Sequence, residues 1–224
     1  MEYQEICTSL TAPGASQGAG YPPVHVFGSM VSLETHQLLG ILQVAQVPFA
    51  FVACSLLAPP TISQVCYGTL PFLKVDQRMI EDLRAQALFL DELSRASLID
   101  SSNFSSRLAF FEEYELLDSM LLPFFRNYIF TAPEEKDRSW ELARSGLSSS
   151  WGLLVHSPLY RRQAKRLLLG KKKTNCTDRD QFVQKGKELI ANHSLRHPYT
   201  IAGLDSMSQE FPVLSEILAP IISE

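Results

Sequence analysis

The sequence predicts a two-part fold, an α/β N-terminal half followed by an all-helical C-terminal half. Three observations carry this expectation. Strand-type runs and helix-type runs alternate before about residue 100. A polar break, Ser101-Ser102-Asn103, follows them. Beyond that break strand signals vanish and long amphipathic runs take over. The boundaries that follow are a flexible leader at 1–22, an α/β domain at 23–97 and an all-helical domain at 104–224.

The leader holds Glu2 and Glu5 and no Lys or Arg, so it is neither a signal peptide nor a basic presequence, and its small residues predict poor order. Val24-His25-Val26-Phe27 is a β-rich run after Pro22-Pro23 and is read as a strand. Residues 33–46 place apolar side chains at helical spacing, with Ser32 as the N-cap. Phe49 to Cys54 is an uninterrupted β-prone run of the kind that fills a buried parallel strand. These three make a βαβ unit, which crosses over right-handed. Gly68 to Asp76 then reads as a strand approach, a proline and another strand, and Met79 to Ser94 as a helix.

In the second half, Arg107 to Phe130 reads as a long helix with Pro123 as a kink or break. Further helices are expected at 134–145, from Pro158 to about Leu169, at 178–193 and at 211–222.

Composition excludes several classes. With 46% hydrophobic and 20% charged residues the chain is no disordered segment. A net charge of -4 offers nucleic acid no general attraction. No run reaches the roughly 18 apolar residues of a spanning helix. Cys7, Cys54, Cys66 and Cys176 form no CxxC or metal spacing, and the five histidines no ligand pattern beyond a loose His193/His197 pair, so no metal is expected. The motifs GxSxG, GxGxxG and the P-loop do not occur.

Two surfaces stand out as partner sites. One is basic: Arg161, Arg162, Lys165 and Arg166, continued by Lys171, Lys172 and Lys173. It suits an acidic protein or anionic lipid head groups. The other lies in the apolar stretch from Leu116 to Phe130, where Phe124, Phe125 and Tyr128 are candidates to meet another subunit.

The order of elements and the step Thr69-Leu70-Pro71-Phe72-Leu73 resemble the glutathione-transferase superfamily, a thioredoxin-like half followed by an all-helical half. Within it the chain is most similar to metaxins, subunits of the mitochondrial sorting and assembly machinery. The similarity rests on Gly68-Thr69-Leu70-Pro71, on Arg107-Leu108-Ala109-Phe110 running to Leu121-Leu122-Pro123, on Trp140, and on Pro158-Leu159-Tyr160-Arg161-Arg162-Gln163. It spans roughly residues 24–170. The resemblance implies a cis Leu70-Pro71 bond. It also implies a non-enzymatic, membrane-associated mitochondrial subunit, held by other proteins and without a spanning segment of its own. The alternative it implies is a transferase conjugating glutathione to electrophiles. Its thiolate-stabilising hydroxyl would be Ser29 or Ser32, and glutathione would lie against Leu70, Pro71, Glu81 and Asp82. Asp82 stands where the superfamily places a hydroxyl, and a carboxylate there repels the glutathione carboxylate. Ala202-Gly203-Leu204-Asp205 is a partial match to the superfamily's helix-capping step, with Ala202 in place of its hydroxyl residue. No cofactor is expected.

Overall fold

A computed structural model describes residues 7–8, 23–54, 70–76, 78–94, 98–99, 103–132, 139, 178–193 and 195–222. Five strands form one sheet: β1 (Cys7–Thr8), β2 (Val24–Gly28), β3 (Phe49–Ala53), β4 (Phe72–Val75) and β5 (Arg78–Ile80), in the order β1-β3-β2-β4-β5. β2 and β3 run parallel, joined by helix α1 (Leu33–Ala45), as the βαβ reading requires. β4 is antiparallel to β2, and β5 antiparallel to β4. Helix α2 (Leu83–Ser94) closes this half.

Two expectations change here. Met79 and Ile80 belong to β5 and not to a helix, which starts four residues later at Leu83. The turn between the strands decides this. Asp76 takes a left-handed conformation at φ 53°, and Val75 pairs with Arg78 across the hairpin. The strand approach before the proline is also not seen at Leu70, which lies in a bend. Within the expected leader, the described residues Cys7 and Thr8 pair antiparallel with Val52 and Phe51 on the outer edge of β3.

The helical half opens with α3 (Phe104–Leu116), capped by the Asn103 side chain, and continues without a break through a π-helical turn at Leu117–Leu121 into α4 (Leu122–Thr131). Pro123 therefore neither ends nor breaks the helix. Proline has no N–H to donate and its ring crowds the carbonyl four residues back. The wider turn just before it, in which the Leu122 N–H reaches the Leu117 carbonyl, accommodates both effects. Later come α5 (Arg179–Ala191), α6 (Pro198–Glu210) and α7 (Pro212–Ile222). Helix α6 was not anticipated. It places Ala202–Asp205 inside a helix whose cap is His197, so this stretch is no capping step. Of the helices expected at 134–145 and 158–169, Ser139 is described and is helical; the other positions lie outside the described residues.

Two hydrophobic clusters form the core. One, around Leu38, Ile41, Phe51, Leu73 and Leu90, also takes in Phe110, Tyr114 and Tyr199 from the helical half. The other, around Phe125, Tyr128, Phe182, Phe211 and Ile217, takes in Val31 and Leu33 from the start of α1. The halves thus supply side chains to each other's interior. Phe124, Phe125 and Tyr128 are buried, and the Phe124 and Tyr128 rings stack on Phe182 at 4.7 and 3.8 Å. The partner surface expected there is a correction: burying these rings against α5 and α7 gains more than leaving them in water.

Helix α1 runs against α6 with no space between backbones. A Cβ on Gly40 would sit 2.4 Å from the Ala202 carbonyl carbon and the Gly203 nitrogen. One on Gly203 would lie 3.0 Å from the Gln37 Cα. Only glycine lets the two helices cross this closely.

Candidate functional site

The residues that the transferase resemblance singled out meet at one end of the sheet. Ser29 and Ser32 follow the end of β2 and lead into α1. Phe27 pairs with Phe72, so the antiparallel register carries Pro71 to the level of Gly28, next to Ser29. The Leu70-Pro71 bond is cis. The Gln86 amide on α2 donates to the carbonyls of Pro71, at 3.1 Å, and Ile80, at 2.7 Å. That ties the proline step to the N-terminus of α2, where Glu81 and Asp82 stand exposed.

The chemistry at this end is largely spoken for. Ser32 is the N-cap of α1: its hydroxyl accepts from the Thr35 N–H at 3.3 Å and donates to Glu34 Oε2 at 2.8 Å. Glu34 in turn pairs with Arg126 of α4. The Arg126 guanidinium is mostly buried, and desolvation lowers its pKa. Ser29 is fully buried; its N–H donates to Thr35 Oγ1 at 3.2 Å, and its hydroxyl finds no partner among the described residues. Cys54 sits beside it, its N–H on the Gly28 carbonyl at 2.7 Å. Asp82 caps α2: its carboxylate accepts from the Ala85 N–H at 2.9 Å and its carbonyl from the Gln86 N–H at 2.8 Å. Its negative charge at the positive helix end is explained by its own helix.

A second set of polar groups joins the halves behind the site. His36 Nε2 donates to the Met30 carbonyl at 2.8 Å, which leaves Nδ1 to accept from the Ser206 hydroxyl at 3.2 Å. Burial holds its pKa below the ordinary 6.5, against the opposing pull of the Met30 carbonyl and Glu210. The buried Asp91 carboxylate accepts from Tyr199 Oη at 2.7 Å and from the N–H groups of Leu98 and Ile99. Burial, then this bond, raises the Tyr199 pKa. Glu113 of α3 accepts from the Arg196 and His197 N–H groups and so holds the start of α6. His197 Nε2 lies 3.3 Å from the Leu98 carbonyl, so it is not available to a metal with His193. Among the described residues no group of three His, Cys, Asp or Glu could hold a metal ion.

Sequence reasoning missed Glu34, Arg126, His36, Asp91 and Tyr199. Each is defined by a partner on another element. A groove of about 430 Å³, lined by Ala109, Glu112, Glu113, Leu116, His193 and Leu195, includes none of the expected site residues. Arg161, Arg162, Lys165, Arg166, Lys171, Lys172 and Lys173 lie outside the described residues. Among the described residues no helix is long and apolar enough to cross a membrane.

No protein family's sequence profile matches the chain, and no curated protein does. Solved glutathione transferases do align with it. A trimeric enzyme from Leishmania shares 14% identity over 90% of this chain at a TM-score of 0.47. The match spans 43% of that protein's length, less than half. A transferase from Xylella fastidiosa shares 11% identity, over 90% of this chain and 93% of its own, at 0.48. One from Populus trichocarpa shares 17%, over 88% and 100%, at 0.45. The strand order and the helices of the second half, on their own, give the chain a glutathione-transferase-like fold.

Proposed function

We propose that this chain is a non-enzymatic, metaxin-like subunit of a mitochondrial membrane-protein complex, serving protein import and assembly or as an accessory subunit of a respiratory complex. The observation that carries the reading is the closure of the thiolate position. A transferase needs a hydroxyl that can donate to the glutathione sulfur as it ionises. Here the Ser32 hydroxyl is committed to Glu34 and the Ser29 hydroxyl is sealed inside the chain. Asp82 supports the same reading: the transferase resemblance asks for a hydroxyl at its position, a carboxylate there would repel a glutathione carboxylate, and it caps its own helix. The metaxin resemblance of the sequence supplies the location and the class of partner. The basic run from Arg161 to Lys173 is the proposed contact with an acidic subunit or anionic head groups.

The test has two arms. Glutathione titration and a thiol-conjugation assay are expected to show no saturable binding and no turnover. Turnover that Ser29→Ala or Ser32→Ala abolishes overturns the proposal. Native purification from mitochondria is expected to bring membrane subunits with the wild type, and fewer with Arg161, Arg162, Lys165 and Arg166 changed to Glu.

The transferase reading keeps one observation in its favour, the unpartnered Ser29 hydroxyl beside the cis Leu70-Pro71 step. It requires a movement that opens Ser29 to the sulfur, and the same assay decides it.

A further inference from the structure

The two edges of the sheet are protected in different ways. The β5 edge is three residues long, begins with Arg78 and is followed by the exposed Glu81 and Asp82. A short, charged edge discourages pairing with another chain. The β3 edge is the opposite case. Phe49-Ala50-Phe51-Val52-Ala53 has no charge, no proline and no bulge, and β2 occupies only its inner side. Such an edge is a template for a further strand. Among the described residues, β1 alone covers it, and only at Phe51 and Val52.

We propose that β1 is a releasable guard over a strand-addition site on β3, and that the occupant of the bared edge is the β3 of a second copy of this chain. The strand suits antiparallel pairing with itself. Centred on Phe51, the pairing sets Phe49 opposite Ala53 and Ala50 opposite Val52, with no like charges facing each other. The guard is weak by construction. A two-residue ladder closes at most a pair of inter-strand hydrogen bonds, whereas five-residue strands pairing along their whole length close more. Cys7 and Thr8 therefore hold the edge closed by proximity, and releasing β1 exchanges an internal strand for an external one.

The experiment uses the full chain and a Cys7→Pro/Thr8→Pro variant, which strips both β1 N–H groups. Unchanged helical circular dichroism shows that the variant is folded. Sedimentation at rising concentration is expected to give a mass about twice that of the wild type under the same conditions. The amides of Phe51 and Val52 are expected to exchange rapidly in dilute variant and to regain protection as it associates. Equal masses for the two proteins across the range overturn the proposal, whether those amides stay open or stay as protected as in the wild type. Association without recovered protection at Phe51 and Val52 overturns it as well, since the contact then lies elsewhere.

Discussion

Ser29 and Ser32 stand three positions apart and predict opposite responses to the same substitution. Ser32→Ala removes the acceptor of the Thr35 N–H and the donor to Glu34, and is expected to cost about 1 kcal/mol. Ser29→Ala removes a buried hydroxyl that has no partner among the described residues, and is expected to be neutral or slightly stabilising. Urea denaturation of the two variants checks the contrast; a larger loss at Ser29 would mean its hydroxyl is bonded. His36 carries a pH dependence. Its folded-state pKa is depressed by burial, so the unfolded chain binds the proton more readily. Its contribution is intact above the unfolded value of about 6.5 and is lost as pH falls below it, by at most about 1.4 kcal/mol per pH unit. His197, also depressed by burial, acts in the same direction. Thermal melting between pH 7.5 and 5 is expected to show a falling midpoint, with a shallower slope in His36→Gln. At this scale the sequence was legible wherever a residue serves its own element. Ser32 was readable as a helix N-cap because capping is local. Glu34, Asp91 and Tyr199 were not, because their partners lie on other helices.

At the scale of elements, α1 and α6 cross at backbone distance. Gly40→Ala puts a methyl group where the α6 backbone already sits, so the helices must part. The expected loss is about 1–3 kcal/mol from overpacking, against a gain of up to about 1 kcal/mol from helix propensity. Gly203→Ala meets its neighbours at 3.0 Å and not 2.4 Å, and is expected to lose less. Comparing the two denaturation midpoints tests the order. The elements that periodicity could show were β2, α1, β3, α5 and α7, each a run whose pattern is its own. Strand β4 was read as the strand after Pro71, but β5 was misread as a helix start, because the turn between them depends on the left-handed Asp76, which composition does not announce. Helix α6 was missed for a related reason. It begins at His197-Pro198 without a strong N-cap residue, and the N–H groups just before it, on Arg196 and His197, are held from outside by Glu113.

Across the whole molecule, the two cores borrow from each other. Tyr199, Phe110 and Tyr114 fill the N-terminal cluster, while Val31 and Leu33 fill the C-terminal one. Neither half keeps its interior if the other unfolds, so a single calorimetric transition is expected, with equal van't Hoff and calorimetric enthalpies. Two separated transitions would show that the borrowing is weak. The succession of an α/β half and a helical half was readable from the sequence as a change of pattern, but the shared interior was not, because it arises from contacts between residues far apart in the chain.

The glycine-on-glycine crossing also governs motion. Hinge bending between two lobes needs a seam that can open or slide, and a contact at backbone distance supplies neither without breaking outright. Spin labels on the exposed residues Glu92 of α2 and Ser215 of α7 are therefore expected to report one narrow distance distribution. A protein that grips both lobes would meet a fixed spacing, as against a jaw that closes on its cargo.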